Sequence, residues 1–444
     1  MTTAKINSTF CAADPWWANA CVGNNGDPSY VDYSQGFSTA ANVLIDQVLA
    51  GEGIKLSVDT LIYPVCFNMR HSVELRLKGA IQELIEIAEI KALKISFDLT
   101  GSHDIGNIWS FFKEQSEKID HRYTFINNLI HSTIHDIASI DATGQTFRYP
   151  TNTESQKHLT EVSCINFLTL KFKFNLLETN LDKLHQLNRW LQQEYSQRTF
   201  TRNLSRQMIY SLAMELPRTS EWNRSEFNII KTHLKSKYSI SSNELGKAID
   251  LIKSHYSLSP LIERARPLLG ITKAQLFDFF DAWTEQNTEY IAPSQNDELF
   301  TYSEASNSML GDIIERAKRR TKIQNKFKTT ITPEYLAGLH TLFYFSYERQ
   351  FSEHYAALYD IEFREKSSAP KPNKNESIKD FMHIFDKTNA MQNIITSLFS
   401  IGHKEIAEEI IEKYKVSDSV GWIEDARRCA SMLYPDFAKY QNLP

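Results

Sequence analysis

The sequence predicts an all-α protein, mainly helical with a minor strand allowed, and three observations carry that prediction. Helix breakers are scarce: 444 residues hold 15 Gly and 13 Pro, roughly half of what average usage of about 7% and 5% would give. Apolar residues recur at three- and four-residue intervals over long stretches, the spacing of a helix with one buried face. Several of these stretches open with a capping sequence.

Residues 1–35, with DPWWANACVGNNGDPSY at their centre, are rich in Asn, Gly, Asp and aromatics. They read as an irregular N-terminal arm, pinned by Trp16 and Trp17, that covers a hydrophobic seam. Helical spacing follows over 36–50 and 58–92, the second a long core helix whose stripe is Leu75, Leu77, Ile81, Leu84 and Ile85. Ser102 is placed to cap a third helix, with Asp104 in its first turn and Ile105, Ile108, Trp109 and Phe112 on one face. DATGQTFRYPTNTES breaks the pattern and predicts a loop.

Residues 158–195 carry two signals. Leu168, Leu170, Phe172 and Phe174 alternate as a strand would, whereas Leu177, Leu181, Leu184 and Leu191 keep helical spacing; the reading is a helix with a strand allowed inside it. Ser241-Ser242-Asn243-Glu244 matches a capping box, and Thr332-Pro333-Glu334 opens a helix expected to run through LAGLHTLFYFSYERQFSEHYAALY. EKSSAPKPNKNES, residues 365–377, has the composition of a linker. Beyond it MQNIITSLFSIGHKEIAEEIIEKY reads as a helical hairpin turning at Gly402. The expected organisation is an arm (1–35), a helical domain (36–195), a second helical domain (196–364), the linker, and a C-terminal helical module (378–444).

A net charge of -5 excludes a strongly basic coat, so any nucleic-acid contact must be a local patch. Five cysteines, odd in number and without a Cys-x-x-Cys pair, point to reduced cytosol and to neither a disulfide framework nor a zinc site. MTTAKINSTF lacks a basic segment followed by an apolar one, and no run approaches 18 apolar residues. A cytoplasmic location away from membranes is expected.

Polar residues sit at the seams of the apolar pattern. Arg70, Glu74 and Lys78 share a face at i, i+4 and i+8, with His71 one position round. They are either an intrahelical ion-pair ladder or part of a phosphate- or nucleotide-binding site. His103 and Asp104 at a helix start would favour an anion or a neutral imidazole base, or would simply cap the helix. Arg148, ahead of Tyr149 and Pro150, can hold a phosphate bidentately or close the loop onto Asp141. Two basic features suit nucleic acid: Arg198, Arg202 and Arg206 at i, i+4, i+8, and the run ERAKRRTKIQNKFK with Arg316, Arg319 and Arg320. Either is also readable as a solvated helix face. Walker A, Gly-x-Gly-x-x-Gly, Gly-x-Ser-x-Gly and His-Glu-x-x-His are absent, and His131 and His135 lack further ligands, so no metal or cofactor is expected.

Glu74 to Lys78, Ser102-His103-Asp104 and Arg148-Tyr149-Pro150 together resemble the HEPN superfamily of helical-bundle domains, over roughly residues 36 to 180. The resemblance implies a bundle found in toxin-antitoxin and antiviral systems, often dimeric. Some members are metal-independent ribonucleases, and others bind nucleotides or act as non-catalytic partners. HEPN ribonucleases place Arg four to six residues before a His; here Arg148 is followed by Tyr149-Pro150 and the next His is His158. The spacing occurs downstream instead, at Arg349 and His354, which become the candidate catalytic pair. On an uninterrupted helix their side chains would diverge by roughly 140°. The expectation is therefore an RNA-binding HEPN-like protein, homodimeric, with or without endoribonuclease activity. The alternative is an adaptor or sensor that binds a nucleotide, an effector or an antitoxin.

Overall fold

A computed structural model describes residues 7–23, 25–51, 56–152, 154–287, 317–368, 374–416 and 421–429. Among these, every regular element is helical, and the one extended pairing is an isolated bridge between Thr151 and Lys157. The all-α class is as the sequence predicts. None of the described helices is long and apolar enough to cross a membrane. The chain divides into two compact units, residues 1–192 and 193–444.

In the first unit α1 (Tyr30–Ala50) and α2 (Val58–Ile90) form the central helical pair. α1 starts with a complete capping box between Ser29 and Asp32. α2 carries Pro64 and still continues to Ile90, because its face of Val65, Met69, Val73, Leu77, Ile81 and Leu84 is fully buried. α3 (Ile105–Ile119) and α4 (Tyr123–Asp141) complete the pattern on which α5 (Phe167–Ser196) follows. Asp104, not Ser102, is the N-cap of α3 and accepts from the Asn107 backbone N–H at 2.9 Å. His103 thus precedes the helix instead of opening it. α5 is one helix with no strand inside: Phe174, Leu177, Leu181, Leu184 and Leu191 fill its buried face, while Leu168 and Phe172 face solvent. The exposed pair produced the misleading alternation.

The second unit holds α6 (Arg206–Glu215), α7 (Glu226–Lys237) and α8 (Ser242–Ser254) around one apolar cluster that includes Leu204, Leu212, Leu234, Leu245 and Ile252. Ser241 caps α8 as expected, but the Glu244 carboxylate turns away to Thr201 Oγ1 at 2.7 Å and the Asn203 N–H at 2.6 Å, so the box is half formed. A larger cluster joins α9 (Lys273–Thr284), helical residues 317–327 (α10), α11 (Pro333–Tyr344), α12 (His354–Ser367), α13 (Lys374–Phe385), α14 (Ala390–Ser400), α15 (Lys404–Lys413) and α16 (Trp422–Cys429).

Two expectations are revised here. The helix capped by Thr332 stops at Tyr344, where a 3₁₀ turn at Phe345–Tyr347 takes over, and α12 starts anew at His354. Residues 378–429 are no separate module: Phe381, Phe385, Ile394, Leu398 and Ile423 share a core with Phe279, Phe280, Leu339 and Phe343. Linker composition at 365–377 therefore marks a surface connection inside one core. The hairpin between α14 and α15 does turn at Gly402, with φ +78°.

Gly338 lies where α11 meets the 269–271 segment, and a Cβ there would stand 2.5 Å from the Leu269 carbonyl oxygen. Gly338→Ala is expected to cost roughly 1–3 kcal/mol in urea unfolding, the usual penalty of overpacking. Gly246→Ala, in α8 with nothing within 4 Å, is expected to stabilise by up to about 1 kcal/mol through helix propensity.

Candidate functional site

The Arg70, Glu74 and Lys78 face of α2 points inward, and each of the three residues is 3% exposed. Glu74 is the hub. Its Oε2 accepts from Arg70 Nη1, and its Oε1 accepts from Lys78 Nζ at 2.9 Å. His103 Nδ1 reaches the same Oε1 at 3.0 Å, and His71 Nδ1 lies 3.8 Å from Oε2. Burial alone would raise the Glu74 pKa; the contacts from His71 and Lys78, the Arg70 charge and the His103 bond more than offset it, holding the carboxyl far below its ordinary range.

Arg70 does a second job. Its Nε donates to the Asp141 carbonyl at 3.1 Å, and Nη2 donates to the carbonyls of Ala142, at 2.6 Å, and of His103. The Asp141 and Ala142 carbonyls end α4, where helix C-termini leave acceptors unpaired and favour a cation. Arg70 thus ties α2, the end of α4 and the residue before the α3 cap into one joint. Its donors are spent on that joint, so the guanidinium is a structural clamp with little left for a phosphate. His103 differs: Glu74 holds one ring nitrogen, while the side chain as a whole is 62% exposed.

Arg148 extends the same region outward. It is exposed, with its guanidinium 5.3 Å from the Tyr149 ring centroid and 5.6 Å from that of Phe67. Phe67 in turn stacks on His71 at 5.8 Å. No carboxylate pairs with Arg148 among the described residues, and the expected partner Asp141 instead accepts from the Thr146 N–H at 3.0 Å. Arg148 and Tyr149 line an open groove of about 1050 Å³ with Asp59, Tyr63, Lys157 and His158. The Nε2 of His158 is buried without a hydrogen-bond partner. An apolar cavity of about 370 Å³ shares Phe147, Val162, Cys164 and Ile165 with the groove. Cys66 on its wall is no nucleophile, because burial, helped by the Asp141 charge, pushes its thiol up to about 12.

The remaining candidates are dispersed. α5 ends before Arg198, Arg202 is exposed in a loop, and Arg206 opens α6, so the three share no helix face. Arg206 is buried and donates from Nε and Nη2 to the Glu353 carboxylate at 2.8 and 3.0 Å, a commitment that removes it from any phosphate. Arg319 and Arg320 are exposed, the latter 2.7 Å from Asp386; Arg316 lies outside the described residues. The break after Tyr344 puts Arg349 in an exposed turn, where it reaches the Ser346 carbonyl at 3.5 Å, and makes His354 the first residue of α12, 4.0 Å from Glu348. No hydrogen bond joins Arg349 to His354. His131 accepts from Trp109 Nε1 at 2.9 Å, and no group of residues among those described could hold a metal ion.

Tyr63, Phe67, Lys157 and His158 were missed as partners of Arg148, since nothing in their spacing brings 63–67 to 148–158. No family model matches the chain, and no curated protein or solved structure matches it either.

Glu74→Gln leaves Arg70 and Lys78 buried beside a neutral amide, and a loss of roughly 3–5 kcal/mol in urea unfolding is expected for breaking such a pair. Because the Glu74 pKa is lower folded than unfolded, its contribution is fully present above the ordinary carboxyl value of 4.5 and is lost as pH falls below it. Wild-type stability should therefore drop on acidification below about pH 4.5, with a shallower drop in Glu74→Gln.

Proposed function

We propose that the protein is an RNA-binding, HEPN-like factor of a bacterial antiviral or toxin-antitoxin type of response, and that the groove at Arg148 takes single-stranded RNA. One observation carries this reading: among the described residues the groove sets Arg148 and Lys157 against the single acid Asp59, with His158, Tyr63 and Tyr149 on the same walls. Cations along a groove with interleaved aromatic rings suit a phosphodiester backbone whose bases stack. The resemblance of Arg148-Tyr149-Pro150 and of the Glu74 helix to HEPN domains points the same way.

For metal-independent cleavage, His103 offers the better geometry than Arg349 and His354. A buried, ionised carboxylate holds its Nδ1, and the exposed ring can exchange a proton with a ribose 2′-hydroxyl. The adaptor reading, in which a nucleotide or effector is bound without chemistry, is favoured by Arg70, whose donors are occupied and cannot stabilise a transition state.

Fluorescence anisotropy with labelled single-stranded RNA in chelator separates these readings. Arg148→Ala and Lys157→Ala should each weaken binding and reduce the slope of log K against log salt by about 0.7, the value for one phosphate contact on a single strand. Tyr149→Ala should cost about 1–3 kcal/mol if a base stacks there. Equal binding by all three variants would remove the groove from consideration. Product analysis on the same samples tests chemistry: cleavage lost in His103→Ala with binding retained supports the nuclease, and tight binding with intact RNA supports the adaptor.

A further inference from the structure

We propose that the second unit contains an acyl-ester hydrolase site in which Ser352 is the nucleophile, His255 the base and Glu353 the carboxylate that orients it. The site is independent of the RNA-binding groove. His255 caps the C-terminus of α8, Ser257 follows two residues later, and Ser352 and Glu353 precede α12.

Glu353 is held as an anion by Arg206 through two donors and by Thr199 Oγ1 at 2.7 Å. Burial opposes that charge, but the Arg206 guanidinium and His255 outweigh it and keep the carboxyl far below its ordinary range. His255 is 7% exposed, and its Nε2 stands 2.9 Å from Glu353 Oε1. The approach is too oblique for a well-aligned hydrogen bond, so the carboxylate orients the ring by proximity. A fixed anion on that side favours the ring proton at Nε2 and leaves the Nδ1 lone pair free. Ser257 Oγ lies 3.2 Å from Nδ1, Ser352 Oγ lies 3.5 Å from it, and Ser352 Oγ donates to Ser257 Oγ at 3.0 Å. The chain Ser352, Ser257, His255, Glu353 is a proton relay ending on a carboxylate that cannot itself take the proton.

Ser352, His255, Glu353, Thr199 and Arg266 border one cavity of about 210 Å³. The Arg266 guanidinium lies 4.4 Å from the Tyr256 ring centroid, and Nη1 donates to the Ser254 carbonyl. Its other N–H groups have no partner among the described residues, which equips it to meet an oxyanion. The cavity size restricts the substrate to an ester with a short acyl group. Ser352 Oγ attacks the ester carbonyl, its proton passes through Ser257 to His255, and the bond to the alcohol oxygen breaks as His255 returns a proton to it. Water, deprotonated by His255, then cleaves the acyl-serine to give the acid and free Ser352.

The test treats the full-length protein with a fluorophosphonate probe, maps the adduct by peptide mass spectrometry, and follows p-nitrophenyl acetate hydrolysis. One adduct is expected, on Ser352, together with hydrolysis that Ser352→Ala abolishes and His255→Gln slows by about 100-fold or more. Absence of an adduct, an adduct elsewhere, or equal labelling of wild type and a folded His255→Gln would overturn the proposal. If His255→Gln does not fold, Ser352→Ala decides: labelling and hydrolysis should both be lost in it, and either one retained at the wild-type level would overturn the assignment.

Discussion

A buried carboxylate with more positive partners than its own charge requires holds the first unit together. Glu74 is surrounded by Arg70, Lys78, His71 and His103, and the Arg70 clamp extends that arrangement to the end of α4 and the approach to α3. Isolating Glu74, Arg70 and Lys78 from water is costly, so the cluster is stable only while those three buried charges stay paired. The loop from Ala142 to Thr151, which carries Arg148 and Tyr149, starts at the carbonyls that Arg70 holds. Its position therefore rests on the same joint.

The second unit uses the same device in different surroundings. Glu353 takes the part of Glu74, with Arg206 as the guanidinium, His255 as the imidazole and Thr199 as an added donor. In both places a carboxylate kept ionised by an arginine faces a histidine. The imidazoles differ in access. His103 is mostly exposed, whereas His255 is enclosed beside a small cavity. Similar electrostatics thus stand in two different surroundings, one open to solvent and one enclosed.

Much of the architecture was legible in the sequence because helices are local structures. The caps at Ser241 and Thr332, the long α2 and the turn at Gly402 all follow from residues within a few positions of one another. Errors arose where two local signals competed. Leu168 and Phe172 are exposed apolar residues that mimic strand alternation, and the run after Tyr344 keeps helical character past the point where the chain turns. The Pro- and Lys-rich 365–377 stretch has linker composition, yet the helices on either side of it pack into one core.

By itself the sequence determined the all-α class, most helix starts, and the placing of Arg70, Glu74 and Lys78 on one face, since each depends on helical periodicity. Only the tertiary structure decided which charges meet. It brought His103 to Glu74 across 29 positions and Glu353 to Arg206 across 147. It also separated Arg349 from His354 by ending a helix between the core of α11 and the start of α12. Spacing along a chain constrains neighbours within a turn or two, whereas long-range electrostatic partners are selected by how the apolar faces pack.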